Sequence, residues 1–213
     1  MTFWRPLRLA FIKSTDWTHG FQGEQPSKLI HFYKWWAPFY DFSVRLDPGY
    51  PRGLKQMVDA VVQPGDITLD VGSGTGLGTL LASSSAARVV AIDPSEAMCA
   101  KLCKKLQRRR INNVDVRHGY FPEALFAEES FDSVMTSFML AHLDADARVA
   151  AIKAMFACLK SGGRLGLFAA QGEVAPTFQT RAELDPLLTA VGFVQSEVHD
   201  LADIYRVTTA VKP

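Results

Sequence analysis

A doubly wound α/β fold is what this chain predicts: a mostly parallel, seven-stranded sheet covered by helices, closing in an antiparallel hairpin. Three observations carry that expectation. Short apolar runs alternate with longer segments of helical periodicity through residues 66–192. Several of these runs read as apolar on both faces, as strands covered from both sides do. The last two runs are separated by only a few residues, whereas a parallel crossover needs a dozen or more, so they must pair antiparallel.

The strands are expected at "DITLDV" (66–71), "ARVVAID" (87–93), "NVDVRH" (113–118), "FDSVMTSF" (131–138), "GRLGLFAA" (163–170), "FVQSEVH" (193–199) and "IYRVTTAV" (204–211). Between the second and third, "SEAMCAKLCKKLQRRR" (95–110) sets Ala97, Met98, Leu102 and Leu106 at helical spacing. Ser95 is a natural N-cap, Glu96 lies in the first turn, and basic residues gather where the helix dipole favours them. "DARVAAIKAMFACLK" (146–160) predicts a helix stopped by Gly162-Gly163. "TRAELDPLLTAV" predicts another, stopped by Gly192.

Composition bounds the function classes. The 213 residues carry a formal net charge of +1, which gives no electrostatic footprint for nucleic acid. Cys99, Cys103 and Cys158 are too few and too irregular for a disulfide framework, so a reducing, cytoplasmic setting is expected. Cys99 and Cys103 share one helical face, but two thiols do not complete a metal site, and no metal is expected. No apolar run approaches the roughly 20 residues that span a bilayer. Arg5, Arg8, Lys13 and Asp16 interrupt any secretory h-region.

The chemistry concentrates in "ITLDVGSGTGLGTLL" (67–81), where Gly72, Gly74, Gly76 and Gly78 alternate directly after a strand. Glycine permits positive φ and removes the Cβ that would hold a ligand off the backbone. At the C-terminal edge of a parallel sheet such a turn is where a nucleotide-like ligand binds. A dinucleotide fingerprint fails in both registers, because Leu77 or Thr79 falls where the third glycine belongs. A P-loop fails because the stretch contains no lysine. What remains is Asp70-x-Gly72-x-Gly74-x-Gly76, an acid at the strand tip with no local cation to meet phosphate. Asp93 ends the next strand, where an acid accepts from ribose hydroxyls and repels phosphate. It also reads as an acid at a helix start beside Pro94 at N1. The pattern points to an unphosphorylated, positively charged nucleoside.

Together, "LDVGSGTG" (69–76), "AIDPSEAM" (91–98), "FDSVMTSFMLAHL" (131–143), "LKSGGRLGLF" (159–168) and the closing 191–213 segment resemble the class I S-adenosylmethionine-dependent methyltransferases. The resemblance implies S-adenosylmethionine as cofactor. It implies that Asp70 and the backbone of Gly72, Ser73, Gly74 and Gly76 hold the methionine end, and that Asp93 binds the ribose. Met98 would pack on the adenine, with Pro94, Tyr120, Phe121 and Ser137 completing the cofactor contacts. Relatives often carry Gly-Asp-Ala after the third strand; this chain reads Gly119-Tyr120-Phe121, so the adenine contact departs from the pattern.

The N-terminal stretch is aromatic. All four tryptophans (Trp4, Trp17, Trp35, Trp36) precede residue 37, and "HFYKWWAPFYDF" (31–42) is the densest run. Residues 1–45 hold six Lys/Arg against three Asp/Glu. One reading is a cap on the sheet. Another is a lid, residues 1–45, over a methyltransferase domain of residues 46–213, with membrane-surface contact through residues 1–40 as a further possibility. "YKWWAPFYD" (33–41) is similar to the N-terminal motif of small-molecule methyltransferases, including quinone-head and phospholipid-amine methylators. It implies Tyr33 and Tyr40 near donor or substrate, and a small, apolar, lipid-like or quinone-like acceptor. Phe138 and His142, after the fourth strand, are the other substrate-side candidates. His142 is the candidate base, or else simply a helix cap beside Asp144. Two rivals stay open: a nicotinamide oxidoreductase, and a non-catalytic Rossmann-like binding module.

Overall fold

The computed structural model describes residues 34, 35, 37, 39–44, 46–122, 126–175, 178–201 and 204–213. Trp4, Trp17, Trp36, Tyr33 and most of the expected lid lie outside these residues. The elements run α1 (Gly49–Val61), β1 (Ile67–Val71), α2 (Leu77–Ala82), β2 (Arg88–Asp93), α3 (Glu96–Arg109), β3 (Val114–His118) and β4 (Phe131–Ser137). A 3-10 turn (Leu140–His142) leads into α4 (Ala145–Cys158), β5 (Leu159–Ala170), α5 (Arg181–Val191), β6 (Val194–Leu201) and β7 (Tyr205–Val211).

One seven-stranded sheet follows, ordered β3-β2-β1-β4-β5-β7-β6, with β7 antiparallel to both of its neighbours. The terminal hairpin is therefore present, but its second strand is the interior one. That explains why β7 is almost wholly buried while β6, at the edge, is largely exposed. The strand order reverses between β1 and β4, the point beyond whose strand tips a doubly wound sheet forms its ligand crevice.

Alternation along the strands sorts side chains to two faces. Leu69 and Val71 join Val90, Ile92, Val134, Leu165 and the apolar faces of α4 and α5. On the opposite face Val89, Met135, Phe168, Tyr205 and Val207 pack against Tyr50, Leu54, Met57 and Val61 of α1. Asp70, between Leu69 and Val71, thus faces the α1 side.

Two expected details differ. The fourth-strand helix ends at Cys158 rather than continuing to Lys160, and β5 begins at Leu159, paired with Phe131. Gly162, at φ +74°, shapes the irregular start of this strand instead of capping a helix, and its amide bonds Lys212 O. Pro94 lies just before the N-cap Ser95, not at the first helical position.

Of the aromatic stretch, residues 34–44 are helical where described. Ala37 and Val44 are buried, while Trp35, Phe39 and Phe42 are 68%, 54% and 68% exposed. Among the described residues no helix is long and apolar enough to cross a membrane.

Helix α1 seats closely on β5. A Cβ at Gly53 would collide with the Phe168 ring, standing 2.8 Å from Cζ, and one at Gly166 would stand 2.9 Å from Met57 and Val61. Phe168 is 1% exposed and boxed in by Tyr50 and Phe138, at ring separations of 5.3 and 5.4 Å. Helix propensity alone favours Gly53→Ala by about 1 kcal/mol. Overpacking against a boxed-in ring costs about 1–3 kcal/mol, which outweighs this gain. Thermal unfolding should therefore place Gly53→Ala below the parent in Tm; a rise would show that the ring has room to move.

Candidate active site

Strand β1 lies at the sheet centre, with Asp70 beside Ala91 and Met135. The chain then folds across the tip of β2: the amides of Gly72 and Ser73 both donate to Ile92 O, at 2.9 and 3.0 Å. Gly74 donates to Asp93 Oδ2 at 2.8 Å, and Gly76 to Ser73 O at 2.9 Å. Gly72, Gly74 and Gly76 have φ of +70°, +54° and +83°, which L-residues resist. Two of these glycines serve different ends. A Cβ at Gly76 would collide with Leu102, so that glycine admits α3; a Cβ at Gly74 would meet nothing within 4 Å, so there the backbone faces open space. Ser73 Oγ is buried without a hydrogen-bond partner among the described residues.

Two buried carboxylates flank this turn. Asp70, 4% exposed, accepts from Thr79 Oγ1 at 2.5 Å. Burial pushes its carboxyl up to about 7; the Thr79 bonds oppose the rise and the charge of Asp93 adds to it. Asp93, 8% exposed, accepts from Gly74 N through Oδ2 and from Ser95 N through Oδ1 at 2.8 Å. Burial raises it as well, against those two amides and the nearby His118. Asp93 therefore fastens the turn to the start of α3, where Ser95 caps Met98 N.

The other expected residues distribute around this centre. Pro94 O lies 3.0 Å from His118 Nε2. Met98 is buried in the first turn of α3. Tyr120, beyond β3, is 38% exposed, and Phe121 packs toward Phe126 at 6.3 Å. Ser137 ends β4 near the Tyr50 hydroxyl, which lies 3.4 Å from that of Tyr40. Phe138 follows in a left-handed conformation, φ +60°, its amide on Phe168 O at 2.8 Å. His142 closes the 3-10 turn, and the helix cap beside it is Asp144. The fold thus brings Asp70, the glycine turn, Asp93 and Ser137 to adjacent strand tips, with Tyr50 near Ser137 and its hydroxyl beside that of Tyr40. Tyr33 lies outside the described residues.

Sequence reasoning missed Tyr50, Asp41, Thr75 and Lys105. It also expected no cation at the turn, yet Lys105 reaches back from α3 to Thr75 O at 2.8 Å. Its charge is matched by Asp41 at 2.6 Å, which also accepts from Thr75 Oγ1 at 2.5 Å. Burial would raise the Asp41 carboxyl, but the bonds from Lys105 and Thr75 hold it below the usual range. The i, i+4 repeat of Lys101 and Lys105 on α3 was the available signal. Cys99 is buried, its thiol pushed up to about 12 by that burial and by the charge of Asp93. Among the described residues no His, Cys, Asp and Glu cluster could hold a metal.

On the far side of Phe138 a cleft runs over the tips of β4 and β5, walled by Phe138, Leu140, Phe168 and Leu184 with Gln179 and Arg206 at its border. The Arg206 guanidinium is engaged by Glu173 at 2.9 Å and Asp200 at 2.7 Å, which leaves the cleft mainly apolar.

Residues 68–163 match a family of methyltransferase domains. The chain is 30% identical over 143 residues to an uncharacterized methyltransferase of Staphylococcus carnosus, covering 65% of this chain and 66% of the relative. Over this stretch the chain is similar to methyltransferases. A demethylmenaquinone methyltransferase of Renibacterium salmoninarum is 32% identical over 145 residues, covering 67% of this chain and 58% of its own length. The chain thus spans just under two thirds or less of these relatives. A SAM-dependent methyltransferase from Aquifex aeolicus shares the fold, with a TM-score of 0.68 at 18% identity over 78% of this chain and 94% of that one.

S-adenosylmethionine, the cofactor that this similarity implies, fits the residues present. The turn offers an open backbone face at Gly74 and an unpartnered Ser73 hydroxyl. Two acids stand beside them, and the nearby Lys105 is ion-paired to Asp41.

Asp70 yields a prediction with a definite sign. Its folded pKa, about 7, lies above the ordinary value of 3.8, so its contribution to stability is full below the lower value and is lost as pH rises through the higher. Asp70→Asn keeps an acceptor for Thr79 and removes the buried charge. The ligand-free variant should be more stable than the parent at pH 8, by about 1–2 kcal/mol, with the gap closing toward pH 5. Denaturant titrations at the two pH values check this; a variant less stable at pH 8 than at pH 5, relative to the parent, contradicts it.

Proposed function

We propose that this methyltransferase transfers the methyl group of S-adenosylmethionine to a small, apolar acceptor. The observation that carries the reading is the pair of buried carboxylates, Asp70 and Asp93, on either side of a bare backbone turn that holds an unpartnered hydroxyl. Buried acids at that spacing favour a cation and disfavour pyrophosphate.

In this reading Asp70 faces the methionine end, and Asp93 keeps acceptor capacity for ribose hydroxyls after its two amide bonds. Ser73 Oγ and the turn amides supply further polar contacts, with Pro94, Met98, Tyr120, Phe121 and Ser137 around the nucleoside. The cofactor supplies an activated methyl on a sulfonium. The chain's own part is to hold the acceptor in line and keep water out, and positioning of that kind supplies roughly 7–11 kcal/mol. Phe138 carries the acceptor side, and its strained φ turns the backbone toward the aromatic group of Tyr50, Phe168, Phe178 and Tyr205. His142 takes a proton only from an acceptor that arrives protonated.

The quinone substrate in the name of the Renibacterium relative supports an apolar acceptor, and the aromatic group around Phe138 supplies an apolar wall for it. The exposed Trp35, Phe39 and Phe42 support residues 1–45 as a lid that also meets a lipid surface, from which such an acceptor would be drawn.

Calorimetric titration should give micromolar binding of S-adenosylhomocysteine and none of NADH. Asp93→Asn, which leaves a single amide oxygen to accept where two carboxylate oxygens did, should bind the homocysteine at least about tenfold more weakly. Radiolabelled donor incubated with cell extract should label the lipid fraction. Binding of NADH alone, or of neither ligand, would overturn the donor assignment; label confined to the aqueous fraction would overturn the acceptor class.

A further inference from the structure

The outer side of the glycine turn is held from a different part of the chain than its inner side. On the inner side Asp93 Oδ2 takes the Gly74 amide at 2.8 Å. On the outer side Asp41, from the helical residues 39–44, accepts the Thr75 hydroxyl at 2.5 Å. Lys105 of α3 then closes a triangle, 2.6 Å from Asp41 Oδ2 and 2.8 Å from Thr75 O. One helical turn back on both helices, Lys101 Nζ donates to Ala37 O. Thr75 is 1% exposed, and the Asp41 and Lys105 side chains are 20% and 12% exposed, so water competes poorly for these bonds.

The arrangement has more parts than tethering a surface helix requires. Ala37 and Val44 already bury the inner face of residues 34–44. The charged group is aimed at the one non-glycine residue between Gly74 and Gly76, both at positive φ. A turn built from such residues has few side-chain contacts of its own, and glycine gives it a wide choice of conformations. Thr75 is its natural handle.

We propose that Asp41 is a positioning residue that couples the docking of residues 34–44 to the shape of the donor-binding turn, with Lys105 as the charge that fixes it. When the segment is docked, Thr75 is held and the Gly74 backbone keeps its open face. When the segment lifts, the turn loosens and the donor leaves faster. The donor part of this inference rests on the methyltransferase reading above; the mechanical part does not.

The test uses the full chain and three variants: Asp41→Asn, Thr75→Val and Lys105→Met. Hydrogen exchange without ligand reads the coupling directly. Asp41→Asn should speed exchange in residues 34–44 and in residues 72–76 together, while α4 and β5 keep the parent's protection. Thr75→Val, which removes the hydroxyl but keeps the shape, should do the same. Faster exchange in residues 34–44 with the turn unchanged would overturn the coupling. Titration with S-adenosylhomocysteine reads the consequence. Asp41→Asn should weaken binding by about tenfold, mainly through faster dissociation. Asp41→Asn combined with Lys105→Met should lose no more than the larger single effect, since both act through one contact. Additive losses, or an Asp41→Asn affinity equal to the parent's, would overturn it. A parent that fails to bind the homocysteine while Asp41→Asn still loosens the turn would defeat the methyltransferase reading and leave the coupling standing.

Discussion

The Asp70 carboxyl is buried at the tip of the central strand, and most of what surrounds it follows from the need to manage that group. It is the next-to-last residue of β1, on the α1 face of the sheet, 4% exposed, with Thr79 as its side-chain partner. A buried acid without a cation is costly, and the protein holds it near neutrality by raising its pKa to about 7. Asp93, at the next strand tip, feels the same burial and adds its own charge. Two such groups make the crevice receptive to a positive ligand before any other residue is considered. The site is thus kept less stable than an apolar filling would make it, as binding sites commonly are.

The rest of the architecture holds these two acids in place. The reversal of strand order between β1 and β4 opens the crevice, and β2 and β4 bracket Asp70 on either side. Asp93 fastens the glycine turn to the start of α3, and Gly76 admits Leu102 of that helix beneath the turn. Helix α1, set tightly on β5 by Gly53 and Gly166, carries Tyr50 to Ser137 and Tyr40. The strand tip at Ser137 and the aromatic group therefore share one wall, running from Tyr50 through Phe138 and Phe168.

How much of this the sequence revealed depends on how local the cause is. The glycine turn was legible because positive φ at Gly72, Gly74 and Gly76 is a demand that each residue meets alone. The strand tips at Asp70 and Asp93 were legible from periodicity, and so was the Ser95 cap. The closing hairpin was legible from its short connection. The start of β5 was not, because Gly162 carries the same signal in a strand bend as in a helix stop, and only pairing with Phe131 decides between them. The place of β7 inside the sheet was likewise a matter of pairing. Asp41, Thr75 and Lys105 went unread because their contacts join residues 30 and 34 positions apart on separate elements. Tyr50 was hidden for a similar reason: its partners, Tyr40 and Ser137, come from different elements.

The claim on which the account turns is that ionised carboxylates at these strand tips favour a cationic ligand. S-adenosylmethionine and S-adenosylhomocysteine differ by one methyl and one positive charge, so the ratio of their affinities isolates that preference. Measured between about pH 5.5 and 8.5, the ratio should shift toward the sulfonium as pH rises through about 7, where Asp70 ionises. A ratio that stays flat across the range, or that moves toward the homocysteine, would contradict the account.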